Sequence, residues 1–212
     1  MTAEYPRARF VPAHPNRFRA GVVHPRPFEL VVIHCTDGHA FAEGTAEMFA
    51  SEPEPHRAAS AHFVVGLDGA GGVPLSRPAL VIQCVAVDDV AWHASEVNSV
   101  SIGIEHCART PGALGPNDPG LPVSDVVYTE SAKLCAWLLR LGGLPCDRAH
   151  VKGHWEASPR DDHPDCPTGC GWDWALYMAL VEAEYDALVS ACESTDPAAS
   201  GCSPQPSPKG TP

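Results

Sequence analysis

The chain has 212 residues, 44% of them hydrophobic and 7% aromatic, which suits one domain of ordinary size with a substantial core. Its formal charge is -12 and its 14 Lys and Arg are scattered, so it lacks the basic stripe that phosphate binding needs, and nucleic acid is excluded as a partner. No stretch approaches the roughly 18 apolar residues of a membrane span, and residues 1–6 lack the basic start and apolar run of a secretory signal.

Residues 1–28 are rich in Pro, Arg and His and predict an extended arm rather than a helix. The run Leu30-Val31-Val32-Ile33 predicts a buried strand ending at His34. Residues 43–50 favour a helix that stops before Pro53 and Pro55. His62-Phe63-Val64-Val65 leads into the turn-rich stretch from Leu67 to Gly72, a hairpin signal. Alternation places His62 and Val64 on one strand face, Phe63 and Val65 on the other. Further strands are expected over residues 80–85 and 100–104, the second ending at Glu105.

Residues 111–122 predict a loop. Thr129 is the expected cap of a helix whose Leu134, Trp137, Leu138 and Leu141 share one side and which ends at Gly142-Gly143. A short strand over residues 150–154 leads into a Pro-rich loop reaching Gly171. Trp174, Met178, Val181, Tyr185 and Leu188 then recur at helical spacing, which gives an amphipathic helix over residues 172–191. Pro, Ser and Gly dominate beyond Glu193 and predict a disordered tail. The expected organisation is an arm at 1–28, a catalytic domain at 29–192 and a tail at 193–212.

Nine cysteines are many for a reduced cytosolic protein, and the odd total leaves at least one free or paired between chains. Cys166 with Cys170, and Cys192 with Cys202, are local pairs able to close short loops. Cys35, Cys84, Cys107 and Cys135 sit in apolar runs and are expected to be packing residues. The absence of paired CxxC motifs argues against a structural zinc ribbon.

His34 at one strand end, Glu105 at another, Gly153-His154, and His163-Pro164-Asp165 one loop further on can together build a mononuclear zinc hydrolase site. Three protein ligands leave one position of the ion open, and a separate carboxylate can move a proton. A histidine at a strand end is also a common rim residue, and Glu105 could be a structural carboxylate bonded to backbone amides.

The order of these motifs resembles the zinc-dependent N-acetylmuramoyl-L-alanine amidases of the type 2 family, which share their fold with peptidoglycan-recognition proteins. The matching pieces run from Leu30 to Trp174. They are Val32-Ile33-His34-Cys35-Thr36, Ser60-Ala61-His62-Phe63-Val64, Trp92-His93-Ala94, Asn98 with Ser101-Ile102-Gly103-Ile104-Glu105, and Gly153-His154 followed by His163-Pro164-Asp165.

The resemblance implies His34, His154 and Asp165 as ligands of one Zn2+ per chain, and Glu105 as proton carrier. Cys166 stays open as the last ligand, because some relatives use cysteine there; Asp161 and Asp162 also lie close enough to offer an oxygen. His163 stands where many relatives carry a lysine that stabilises the oxyanion, and an imidazole N–H can supply the same bond. Trp92, His93 and Asn98 fall where relatives line the substrate groove, with Ser95 in place of a common glycine, and His62 is grouped with them; Trp92 could also be core. The remaining histidines, His14, His24, His39 and His56, are expected to face solvent.

The resulting expectation is a mixed α/β domain, a single central sheet flanked by helices. Its reaction would be hydrolysis of the amide between N-acetylmuramic acid and L-alanine in bacterial peptidoglycan or muropeptides, by a monomer without a membrane span. Two alternatives keep the same residues: a recognition module that binds peptidoglycan without cutting it, and a zinc amidohydrolase acting on a small soluble amide. The missing signal favours a cytoplasmic or phage-released protein, whereas the cysteine load favours secretion.

Overall fold

In the computed structural model, residues 2–21, 28–69, 77–161, 163 and 165–194 are described. The strands are β1 (Ala8–Phe10), β2 (Phe18–Arg19), β3 (Leu30–Cys35), β4 (Phe63–Leu67), β5 (Ala79–Gln83), β6 (Val90–Ala91), β7 (Ser101–His106) and β8 (Val151–Gly153). The helices are α1 (Ala42–Ala50), α2 (Asp125–Gly142), α3 (His154–Ala157) and α4 (Trp174–Ser194). Six strands form one mixed sheet in the order β1-β5-β4-β7-β3-β8, and β2 pairs with β6 apart from it. β4, β7, β3 and β8 are mutually parallel, while β5 runs antiparallel to β4.

The β-branched run of β3 suits a strand covered on both faces, and Val31, Val32 and Ile33 are fully buried. Successive side chains alternate between two layers. Val31, Ile33, Phe63, Val65, Ile102 and Ile104 pack with Leu134, Leu138, Tyr177 and Val181 of α2 and α4. On the other face Val64 and Ile82 meet Ala42, Ala46 and Phe49 of α1. The expected alternation of Phe63 and Val65 against Val64 is therefore observed. α1 packs on β4 and β5, and the part of that face carried by β7, β3 and β8 bears the polar residues described below.

Several boundaries differ from the sequence expectation. α2 starts at Asp125 with Ser124 as its cap, one turn before Thr129, whose hydroxyl instead donates to the Asp125 carbonyl at 2.9 Å. Gly143 ends that helix in the left-handed conformation at φ 67°. Leu141 and Leu188 lie outside the buried stripes and are exposed. The N-terminal segment contains a turn of 3-10 helix at Pro15–Arg17 besides its extended strands, and it is built into the fold. β1 adds to the sheet edge beside β5, and the buried Arg17 donates to the carbonyls of Ser51, Arg57 and Ala59. Part of the expected hairpin turn, His24 and most of the expected tail lie outside the described residues, as does the pairing proposed for Cys202. His39 and His56 are exposed and His14 is half-buried.

The cysteine expectation is corrected. Cys35 is bonded to Cys170 across 135 residues, so Cys166 does not pair with Cys170. Cys84, Cys107 and Cys135 are buried thiols, as expected of packing residues.

Candidate metal centre

Parallel pairing brings three chemically active strand ends together. His34 is the register partner of Glu105, and Ile33 is the partner of Gly153, directly before His154. Adjacent strands lie about 4.8 Å apart, so Glu105, His34 and His154 form a row across the carboxyl ends of β7, β3 and β8. Gly153 has a packing reason: a Cβ there would sit 2.8 Å from Pro167 Cδ, so its absence lets the following loop close onto β8.

Ligand-capable atoms of His34, His154 and Cys166 all lie within 4.8 Å of one another. His34 and His154 are buried and Cys166 half-buried. The Cys166 sulfur accepts the Cys35 N–H at 3.2 Å, and Trp155 N–H donates to the Cys166 carbonyl at 3.2 Å, which turns this residue inward. The expected ligand Asp165 is exposed and stands outside this group, its neighbour Cys166 occupying the inward position of the loop. Asp161 accepts from His154 Nε2 at 3.0 Å and from the Ser95 N–H at 3.0 Å, so it orients a histidine rather than joining the cluster.

The electrostatics suit a cation. Burial holds the His34 imidazole well below its usual range, with the neighbouring rings of His93 and His154 adding to this, so it is neutral with a free lone pair. Burial also lowers His154, opposed by its bond to Asp161. Burial pushes the Cys166 thiol up to about 12, so a metal that binds the thiolate must displace a proton.

Glu105 keeps some accessibility, but its Oε2 is sealed and has no hydrogen-bond partner among the described residues. Desolvation pushes its carboxyl up to about 8. An isolated buried carboxyl of this kind is expensive to keep, and poised near neutrality it can both take and return a proton.

The remaining expected site residues separate into three kinds. His163 is exposed, with its ring centroid 4.9 Å from that of His154, so it stands at the rim of the cluster. Trp92 is also on the surface. Asn98 is half-buried; its Oδ1 accepts the N–H groups of His93 at 2.9 Å and Ala94 at 2.7 Å and shapes that turn.

His62 is fully buried, its Nδ1 accepting the Gly103 N–H at 3.1 Å and its Nε2 donating to the Asp89 carbonyl at 3.1 Å. The ring has no exposed surface and ties the start of β4 to β7 and to the turn before β6. His93 is buried, with its Nδ1 3.0 Å from His34 Nε2.

The fold and the cluster define a class: an α/β domain with a metal-capable His/His/Cys set and a buried carboxyl at parallel strand ends. The family model for N-acetylmuramoyl-L-alanine amidase matches residues 24–169, and the chain belongs to that family. Its reaction is hydrolysis of the amide that joins the stem peptide to the glycan in peptidoglycan.

Solved structures share the fold at low identity. PlyL is 17% identical with a TM-score of 0.56, covering 82% of this chain and 96% of its own. The catalytic domain of XlyA is 22% identical with a TM-score of 0.53, covering 81% and 95%. The N-acetylmuramoyl-L-alanine amidase LysC from Clostridium intestinale URNW is 15% identical with a TM-score of 0.55, covering 82% and 97%. No curated protein sequence matches the chain. Among the described residues, no helix is long and apolar enough to cross a membrane.

Proposed function

We propose that the chain holds one Zn2+ through His34, His154 and Cys166 and cleaves the N-acetylmuramoyl–L-alanine bond with Glu105 as its proton carrier. The observation that carries this reading is the convergence of two imidazoles and a thiol within 4.8 Å, beside a carboxyl whose Oε2 is buried with no hydrogen-bond partner among the described residues. The donor chemistry fits: neutral imidazole and thiolate are the preferred ligands of zinc, and three of them are the number a hydrolytic site uses. When bound, zinc supplies Lewis acidity that polarises a carbonyl and lowers the pKa of water to about 7.

The chain's own residues account for the proton traffic. Glu105, ionised beside a cation, takes a proton as water attacks the lactyl carbonyl carbon of muramic acid. It then gives that proton to the nitrogen of L-alanine as the C–N bond breaks, leaving a carboxylic acid on the sugar and a free amine on the peptide. His163 at the rim offers an N–H to the oxygen that gains charge during attack. The exposed Trp92 provides an apolar wall for the substrate. A chain acting in this way meets peptidoglycan or its soluble fragments, whether released by a phage, secreted or working in recycling.

The test is digestion of purified sacculi by wild type and Glu105→Ala, with mass analysis of released peptides and metal content measured on both. Wild type should release peptides beginning with L-alanine, while Glu105→Ala keeps its zinc and loses about 10^2–10^4 of the rate. Zinc-loaded wild type that binds sacculi without releasing peptide would support recognition instead. Cleavage of soluble muropeptides alone would point to a small-amide hydrolase.

A further inference from the structure

The hydroxyl of Ser101 lies 2.7 Å from the Val97 carbonyl oxygen and 3.2 Å from His93 Nε2. A carbonyl only accepts, so the single hydroxyl proton goes to Val97, and the Ser101 oxygen must accept from His93 Nε2–H. A neutral imidazole protonated at Nε2 has a bare Nδ1. That atom lies 3.0 Å from His34 Nε2, so His34 must carry its own proton there, and its Nδ1 is left with the lone pair.

The other ligand ring reaches the same state by a shorter route, because His154 Nε2 points at the Asp161 carboxylate at 3.0 Å and must donate. Both ligand histidines therefore offer Nδ1.

The relay is held rigidly. A Cβ at position 103 would fall 2.6 Å from His93 Cγ, so Gly103 is what allows the ring to lie on β7. Asn98 clamps the His93 backbone, and the His34 and His93 rings meet edge to face at 89°. Burial of the His93 ring fits it to this task.

We propose that His93 and Ser101 are positioning residues that hold His34 in its Nε2–H tautomer and so aim Nδ1 at the ion, an inference resting on the metal reading above. Outer hydrogen bonds of this kind fix ring orientation and tautomer, and their loss typically weakens metal affinity 10- to 100-fold.

Two measurements test it. In metal-free, 15N-labelled protein, two-bond 1H–15N spectra of the imidazoles should show His34 and His93 both protonated at Nε2; a His34 protonated at Nδ1 overturns the relay. Zinc affinity is then measured by chelator competition. Ser101→Ala should weaken binding about tenfold and His93→Ala about 10- to 100-fold. His93→Asn, whose amide oxygen can replace Nδ1 as acceptor, should restore most of the loss. Equal affinity of wild type and His93→Ala also overturns the proposal. The tautomer is read on wild type, so a variant that fails to fold does not block the decision. Failure of wild type to bind zinc at all would instead sink the metal reading, a result distinct from a wrong tautomer.

Discussion

Cys166 and Asp165 stand one position apart and differ in donor chemistry, and the loop can turn only one of them toward His34. The inward sulfur is anchored by the Cys35 N–H, while the Asp165 carboxylate faces solvent. Cys166→Ser should therefore abolish stoichiometric zinc, and Asp165→Ala should retain it, as read by metal analysis after dialysis; the reverse outcome would return the third ligand to Asp165.

Spacing in the sequence could not separate these neighbours, since both residues suit the ion and only backbone hydrogen bonds decide which faces in. The strand-end positions of His34, His154 and Glu105 were legible because each follows an apolar run or a Gly-His step. The full burial of His62 was not legible for a different reason: strand alternation tells which face a residue takes, but not whether a helix or loop covers that face. The roles of Ser101 and His93 as a pair carry no sequence signal beyond proximity, because a relay is defined by which atom holds the proton.

At the scale of elements, β3, β7 and α4 followed from hydrophobic pattern alone, and α1 from helix-favouring residues that stop before Pro53 and Pro55. β1, β2 and β6 did not, being two or three residues long and held by pairing with distant partners. Strand order is equally invisible in the pattern, although it is what sets β7, β3 and β8 side by side.

His106 joins these layers. Its Nδ1–H donates to the His34 carbonyl at 2.9 Å, and its Nε2 accepts from Ser131 of α2 at 2.6 Å, with Tyr177 of α4 bonded to Ser131 at 2.9 Å. Burial lowers the His106 pKa from 6.5 to about 4, partly offset by its backbone bonds.

The folded state thus takes up this proton later than the unfolded chain as pH falls. The associated stability is complete above about 6.5 and is lost toward pH 4, in total about 3 kcal/mol. In denaturant titrations with a chelator present, His106→Gln should be less stable than wild type at pH 7.5. The gap should close by about 2–3 kcal/mol at pH 4.5. Parallel stability curves for the two proteins would show that the buried ring is not the source.

For the whole molecule, the telling link is the Cys35–Cys170 bond, which spans 135 residues and ties the residue after His34 to the loop that carries Cys166. Between those two points the chain builds most of the sheet and all of α2, so the crosslink closes almost the entire domain at the edge that carries the His34, His154 and Cys166 cluster. Loop entropy for a closure of this length stabilises the fold by up to about 5 kcal/mol, commonly 2–4. The same bond ties the residue after His34 to the loop that carries Cys166, the third ligand of the proposed centre.

Neither effect could be read from the chain, because Cys35 sits in an apolar run where a buried thiol is the ordinary expectation. The exclusion of metal-bearing geometry from any one local segment follows: β3, β8 and the Cys166 loop meet only when the fold is complete. A Cys35→Ser/Cys170→Ser double variant should therefore lose roughly 10 °C of melting temperature in its metal-free form, at about 2–4 °C per kcal/mol. It should also bind zinc more weakly in chelator competition, while Cys84→Ala, outside the proposed ligand set, leaves that affinity unchanged. If the double variant loses thermal stability yet binds zinc as tightly as wild type, the crosslink serves the fold alone and the Cys166 loop is ordered by its own hydrogen bonds.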